Sequence, residues 1–260
     1  MTRRVAVTKM HGARNDFVLL DLRKEDAVDL VAFASSVCDR HSGIGADGLL
    51  TIGESNRADV LMRIINADGS EALMCGNGIR CMARYLDEAG EGTTLRIETA
   101  SGIIGTRVIE RSPEYTVRVE MGTPRVRALS GGSALDAYVD IGNPHIVLFR
   151  EEIGAIDLAA LAQSYQEDAR FSNGVNVHIA HIENSHELSV RHYEHGAGLT
   201  MACGTGAVAS AAAAQTHDAV TSPVTVCVPG GKLTVEWDRT GSAFLTGPAV
   251  RVFDTTFANP

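Results

Sequence analysis

The feature that most constrains this chain is that it repeats itself. Met74 to Leu86 reads MCGNGIRCMARYL and Ala202 to Ala214 reads ACGTGAVASAAAA, so a C-G-x-G opens a helix-like stretch twice. The two cysteines, Cys75 and Cys203, are 203 − 75 = 128 positions apart in a chain of 260 residues. Other pairs keep that offset: Asn15 falls on Asn143, Gly48 on Asn176, Arg63 on Arg191 and Gly102 on Gly230. Five anchors in one register imply two homologous halves, each of ordinary domain size. The expected halves are residues 1–120 and 121–260. They meet in the turn-rich MGTPRVRALSGG from Met121, and the last strand is free to return to the first half.

Within each half, short β-rich runs recur, among them Val5 to Val7, Leu61 to Ile65, Glu187 to Tyr193 and Leu233 to Trp237. Several alternate apolar and polar residues, as half-buried strands do. Helical stretches are fewer: Asp29 to Arg40, Gly78 to Ala89, Leu158 to Gln166 and Gly206 to Thr216. The predicted class is therefore α/β (α+β): two pseudo-twofold-related domains, each a mixed or antiparallel sheet wrapped around a central helix.

Composition removes several functions. The formal net charge is −9, so the chain lacks the basic footprint of a nucleic-acid partner or of an anionic membrane surface. No run approaches the ~18 apolar residues of a spanning helix. Arg3 and Arg4 are followed by an apolar stretch that Thr8 and Lys9 interrupt, so no export signal is expected. Five cysteines, an odd number without C-x-x-C spacing, suit reduced thiols in the cytoplasm and no zinc site. No phosphate-binding glycine loop or dinucleotide fingerprint is present, and neither cofactor nor metal is expected.

The chemistry concentrates at the repeated C-G-x-G. A cysteine just before a helix meets free N–H groups and the positive end of the helix dipole, which favour a thiolate. The same N–H groups suit a carboxylate. Two such units facing across a cleft place one thiolate to remove a proton from a carbon and one thiol to deliver a proton to its other face. That scheme inverts a stereocentre. A single C-G-x-G is better read as a tight turn with a small buried cysteine. Two at matched positions favour catalysis by Cys75 and Cys203. Cys38, Cys81 and Cys227 have no mates in the register and read as structural.

With HGARNDFVLL from His11, GIGADGLL from Gly43, INADGSEALMCGNGIRCMARYL from Ile65, DIGNPHIVLF from Asp140, GVNVHIA from Gly174, YEHGAGLTMACGTGAVA from Tyr193 and VPGGKLTVEW from Val228, the whole chain resembles the diaminopimelate epimerase family. The resemblance implies a cofactor-free epimerase of two similar α/β domains. It implies a homodimer that interconverts LL- and meso-diaminopimelate for lysine and peptidoglycan. It makes Cys75 and Cys203 the acid/base pair, and Gly76, Asn77, Gly204 and Thr205 the loops that hold the reacting carboxylate. It makes Asn15, Asn66, Asn143 and Asn176 substrate-binding amides, and has His145 and Glu194 tune the thiols or bind the amine. Gly48 stands where many members carry Gln. The family's E-R-G reads Glu194-His195-Gly196 here, so a histidine replaces the arginine that clamps the substrate's distal carboxylate. Histidine is shorter and cannot pair bidentately. A two-cysteine, pyridoxal-independent racemase of another amino acid is therefore the alternative. A phenazine-type isomerase of related fold is a weaker reading, because such proteins lack the cysteine pair.

Overall fold

The computed structural model describes residues 4–25, 28–72 and 74–258. Arg3 of the N-terminal stretch and Leu73 of the first cysteine motif lie outside them. In chain order the first elements are β1 (Arg4–Gly12), β2 (Asn15–Asp21), α1 (Leu30–Cys38), β3 (Gly48–Gly53), β4 (Val60–Asn66), β5 (Glu71–Ala72), α2 (Gly76–Glu88), β6 (Thr94–Thr99), β7 (Gly102–Glu110) and β8 (Thr116–Gly122). Then come β9 (Arg125–Ala128), β10 (Ala137–Asp140), β11 (Pro144–Phe149), α3 (Leu158–Gln166), β12 (Asn176–Asn184), β13 (Glu187–Glu194), β14 (Gly198–Thr200) and α4 (Gly204–Thr216). The last strands are β15 (Val224–Val228), β16 (Gly231–Trp237), β17 (Ala243–Pro248) and β18 (Val250–Ala258).

The chain forms two compact units: residues 1–119 with 247–260, and residues 120–246. The last strand, which the sequence reading left free to return to the first half, is β18, and it pairs antiparallel along the length of β1.

In the first unit, β1 lies between β18 and β2. β2 runs parallel to β3, β3 pairs antiparallel with β4, and β4 is parallel to β6. The antiparallel pairs β6–β7 and β7–β8 complete the sheet. The second unit repeats this order with β9, β10, β11, β12, β13, β15, β16 and β17. The two parallel pairs recur as β11–β12 and β13–β15. The register recurs too. Leu50 opposes Ile64 in the first unit, and His178 opposes His192, each 128 positions on.

Each sheet wraps a helix. α2 contacts β1, β2, β3, β7 and β18, and α4 contacts β9 through β13 together with β15 and β16. α2 keeps a polar face at its C-terminal end, whereas α4 is apolar all round. The alanine run of α4, buried from Gly206 to Ala214, lets strands approach closely. α1 and α3 lie on the outer face of their sheets, each N-capped by an aspartate, Asp29 and Asp157, again 128 apart. The mixed α/β class expected from the sequence is the one observed.

Candidate active site

Helices α2 and α4 begin two residues earlier than the sequence pattern suggests. The glycines of each C-G-x-G are helical, and the cysteine itself is the N-cap, with extended backbone at φ −139° for Cys75 and −122° for Cys203. Each cysteine's carbonyl accepts the first intrahelical bond, from Ile79 and from Ala207. The second glycine of each motif packs onto the sheet. A Cβ on Gly78 would lie 2.9 Å from Leu50 Cδ2, and one on Gly206 would lie 2.5 Å from the His178 ring. The motif is thus a backbone device. It presses the helix start against the sheet, and at Cys203 it leaves the sulfur on a first-turn N–H, that of Gly206.

In the first unit, Asn15 leaves a two-residue hairpin turn whose central residues, Ala13 (φ 50°) and Arg14 (φ 64°), are both left-handed. Asp47 accepts from Asn15 Nδ2 at 2.6 Å. A carboxylate only accepts, so Asn15 must turn its Oδ1 the other way. There it accepts from Cys75 Sγ (3.6 Å) and Asn77 Nδ2 (3.1 Å). Asp47 is in turn held by Arg40, which also bonds Asp16. Lys9 bonds Asp16 and the Gly45 carbonyl. Asn66 lies apart from this group in the hydrogen-bond pattern, donating to Ser70 Oγ at 2.9 Å. Gly48 sits opposite Asn66 across β3 and β4, where a Cβ would come within 3.2 Å of the Ile65 carbonyl.

Arg80 was not anticipated. It is fully buried, and its guanidinium donates to the Gly76 carbonyl (2.9 Å), Asn77 Oδ1 (2.9 Å) and the Pro248 carbonyl (3.1 Å). Burial lowers its pKa. The Cys81 sulfur opposes that shift first and the Cys75 sulfur after it.

In the second unit, Cys203 is buried. Its sulfur accepts from Gly206 N (3.4 Å) and lies 3.5 Å from the Thr205 hydroxyl. Burial first, then the Glu194 carboxylate, pushes this thiol well above its ordinary value. The Thr205 hydroxyl and the Gly206 N–H act in the opposite direction. The sequence reading lowered both thiols, and at Cys203 the shift runs the other way. Desolvation disfavours the thiolate more than one helix-end N–H favours it. Glu194 also accepts from Thr200 Oγ1 at 2.6 Å.

His145 is buried and bonds Asn143 Oδ1 at 2.9 Å. Asn176 donates to the Pro144 carbonyl (3.0 Å) and accepts from the His195 backbone (3.1 Å). The His195 imidazole lies against Gly174 and bonds Gln166 Oε1 at 3.0 Å. His178 and His192, unremarked in the sequence, are buried beside His145. Aligning the two halves would have exposed them as histidines falling on apolar partners. Cys81 and Cys38 are buried, which pushes them up to about 12 and about 11, while Cys227 is half-buried and donates to Glu187 Oε1 at 3.0 Å. Among the described residues no group of three or more His, Cys, Asp or Glu side chains is arranged to hold a metal ion.

The repeated fold and its paired cysteine caps define a class, the α/β isomerases built from two like halves. The chain belongs to the diaminopimelate epimerase family, whose model, "Diaminopimelate epimerase", matches residues 7–127 and 137–252. It is 39% identical over 262 residues to the diaminopimelate epimerase of Bacteroides thetaiotaomicron, covering 98% of each chain. It is 41% identical over 272 residues to that of Moorella thermoacetica, covering 96% of this chain and 98% of the other. Among solved structures, its fold resembles a phenazine biosynthesis protein of the PhzF family from Bacillus anthracis, at TM-score 0.77, 16% identity and coverage of 98% and 99%. It also resembles a hydroxyproline epimerase from Agrobacterium vitis, at TM-score 0.72, 14% identity and coverage of 99% and 94%.

Proposed function

We propose that this protein epimerises diaminopimelate between its LL and meso forms without a cofactor, using Cys75 and Cys203 as the acid/base pair. The observation that carries the reading is the pair of cysteine N-caps at matched positions of two like units. Burial and Glu194 hold Cys203 as a thiol, and the buried Arg80 lies under the helix start that Cys75 caps. A pair acting as one base and one acid needs unlike surroundings. The Cys75 thiolate takes the α-proton, and its electron pair passes to the α-carbon and the adjoining carboxylate. The Cys203 S–H delivers its proton to the opposite face. Cys75 ends as thiol and Cys203 as thiolate, and the reverse reaction restores both. First-turn N–H groups at Gly76, Asn77, Gly204 and Thr205 would hold the carboxylate as negative charge grows on it.

In this reading Asn15, Asn66, Asn143 and Asn176 bind the zwitterionic ends of the substrate. Glu194 and His145 hold the second thiol and its neighbours in place. His195, oriented by Gln166, occupies the position of the distal clamp. Five free thiols support a reducing, cytoplasmic setting. The exposed apolar side chains of Val252 and Phe253 on β18 support self-association as a homodimer.

The test is exchange of the substrate α-hydrogen in deuterated water, without added cofactor, on a panel of diaminopimelate, lysine, glutamate and histidine. Diaminopimelate is expected to exchange and invert. Cys75→Ala and Cys203→Ala should each lose at least ~10³-fold in inversion, because a missing acid or base stops turnover. Full inversion by either variant rejects the pair. His195→Arg should lower KM for diaminopimelate roughly tenfold through a bidentate carboxylate bond. Exchange confined to an amino acid without a distal carboxylate would support the alternative racemase instead.

A further inference from the structure

The two units act as each other's control. At the shared offset, Phe17, Leu50 and Ile64 of the first unit fall on His145, His178 and His192 of the second. The six side chains occupy equivalent strand positions, and all six are buried. Gly78 rests on Leu50 and Phe17, and Gly206 rests on His178. One unit fills this part of its core with hydrocarbon and the other with three imidazoles. Hydrocarbon suffices for the architecture, and burying polar rings is unfavourable unless they are bonded. The histidines therefore need a reason other than packing.

They form a line. His192 Nδ1 lies 2.9 Å from His178 Nδ1, His178 Nε2 lies 2.8 Å from His145 Nδ1, and His145 Nε2 lies 2.9 Å from Asn143 Oδ1. At the far end, His192 Nε2 is buried without a partner among the described residues. Burial keeps all three rings neutral, lowering His145 and His192 to about 3 and His178 well below its ordinary value. A neutral imidazole has one N–H and one lone pair, so every bond in the line must run in the same sense. If Asn143 donated, each proton would move one place along and strand an N–H on His192 Nε2. Orphaned buried N–H groups are rare. The other sense leaves only a lone pair there.

We propose that His178 and His192 are positioning residues that set the tautomer of His145, so that it donates from Nε2 to Asn143 Oδ1 and Asn143 offers its amide NH2 to an anionic oxygen of the substrate. Asn15 is pinned with the opposite polarity, its NH2 held by Asp47 and its Oδ1 turned to the Cys75 thiol. The matched asparagines thus present a donor in one unit and an acceptor in the other. The repeat becomes chemically asymmetric at equivalent positions. The inference rests on reading Asn143 as a substrate-binding amide.

The test is long-range ¹H–¹⁵N correlation on protein labelled with ¹⁵N-histidine, the rings assigned with single His→Gln variants. His145 and His178 should carry the proton on Nε2 and His192 on Nδ1. The reversed set, or a mixture, overturns the inference. His178→Leu, which restores the residue found at the matched position of the first unit, should raise KM about tenfold with a smaller change in kcat. It should also free the His145 tautomer. His178→Gln keeps an N–H near the Nε2 position and should recover KM to within about threefold. Unchanged KM in His178→Leu also overturns the inference. The spectra need no substrate, so expected tautomers in a protein that leaves diaminopimelate unchanged would reject the substrate reading alone.

Discussion

At the residue scale, one buried cation separates two thiols that share a motif. Cys75 and Cys203 are both N-caps with extended backbone, but only the Cys203 sulfur accepts a first-turn N–H, and Arg80 underlies only the first helix. The position 128 residues on holds Val208, which is apolar and buried. Arg80→Met should therefore slow alkylation of Cys75 by iodoacetamide at pH 7 roughly tenfold, since the thiolate is the nucleophile. Arg80→Lys, retaining a cation, should lose less. Equal alkylation rates in the wild type and Arg80→Met would remove Arg80 from the electrostatic account. The cysteines and matched asparagines were legible because their types and spacing recur along the chain. Arg80 was not, because an arginine in a helix usually reads as a solvated face. Its burial is decided by how α2 packs in its sheet, where the distant Pro248 carbonyl joins the Gly76 carbonyl and Asn77 Oδ1 of its own helix as acceptors.

At the element scale, the close contact of each helix start with its sheet depends on the second glycine. The two contacts differ in compliance. Gly78 meets the methyl end of Leu50, which rotates easily, whereas Gly206 meets a His178 ring bonded on both sides. Gly206→Ala should destabilise the protein by ~2 kcal/mol through overpacking. Gly78→Ala should cost less, because Leu50 yields and alanine favours the helix. Urea midpoints of the two variants decide this, and equal losses would contradict a rigid histidine line. The helices were legible from their periodicity, and Leu158–Gln166 matches its sequence range to the residue. Strands with little alternation were not. β3, buried from Gly48 to Ile52, reads as an apolar run without a face. β18, largely exposed, carries no inward stripe, and its place beside β1 is set by pairing across the whole chain.

At the scale of the whole molecule, the buried histidines set the pH range of stability. In the unfolded chain each takes a proton near its ordinary value of about 6.5. In the fold, His145 and His192 do so only near 3 and His178 well below its ordinary value. Between those limits the unfolded state binds more protons, so stability rises with pH and is lost as pH falls from about 6.5. Each pH unit well inside the window is worth ~1.4 kcal/mol per histidine, or ~4 kcal/mol for three. The paired carboxylates Asp16, Asp21 and Asp136, held below the usual range, act in a lower window as pH falls below about 4. Urea unfolding at pH 7, 6 and 5 should show the decline, and His178→Leu should remove about a third of its slope. An unchanged slope in that variant would mean that the ring is protonated in the fold.

The linear sequence determined the duplication, the class of fold, the two cysteine-led helix starts and the family, because each is written in residue types at fixed spacing. Only the tertiary structure decided how the two copies differ. Whether a thiol is desolvated, whether an arginine is enclosed and which way a line of imidazoles donates depend on side chains that meet across strands distant in the chain. Burial and hydrogen-bond sense are properties of those meetings, and local pattern carries no record of them.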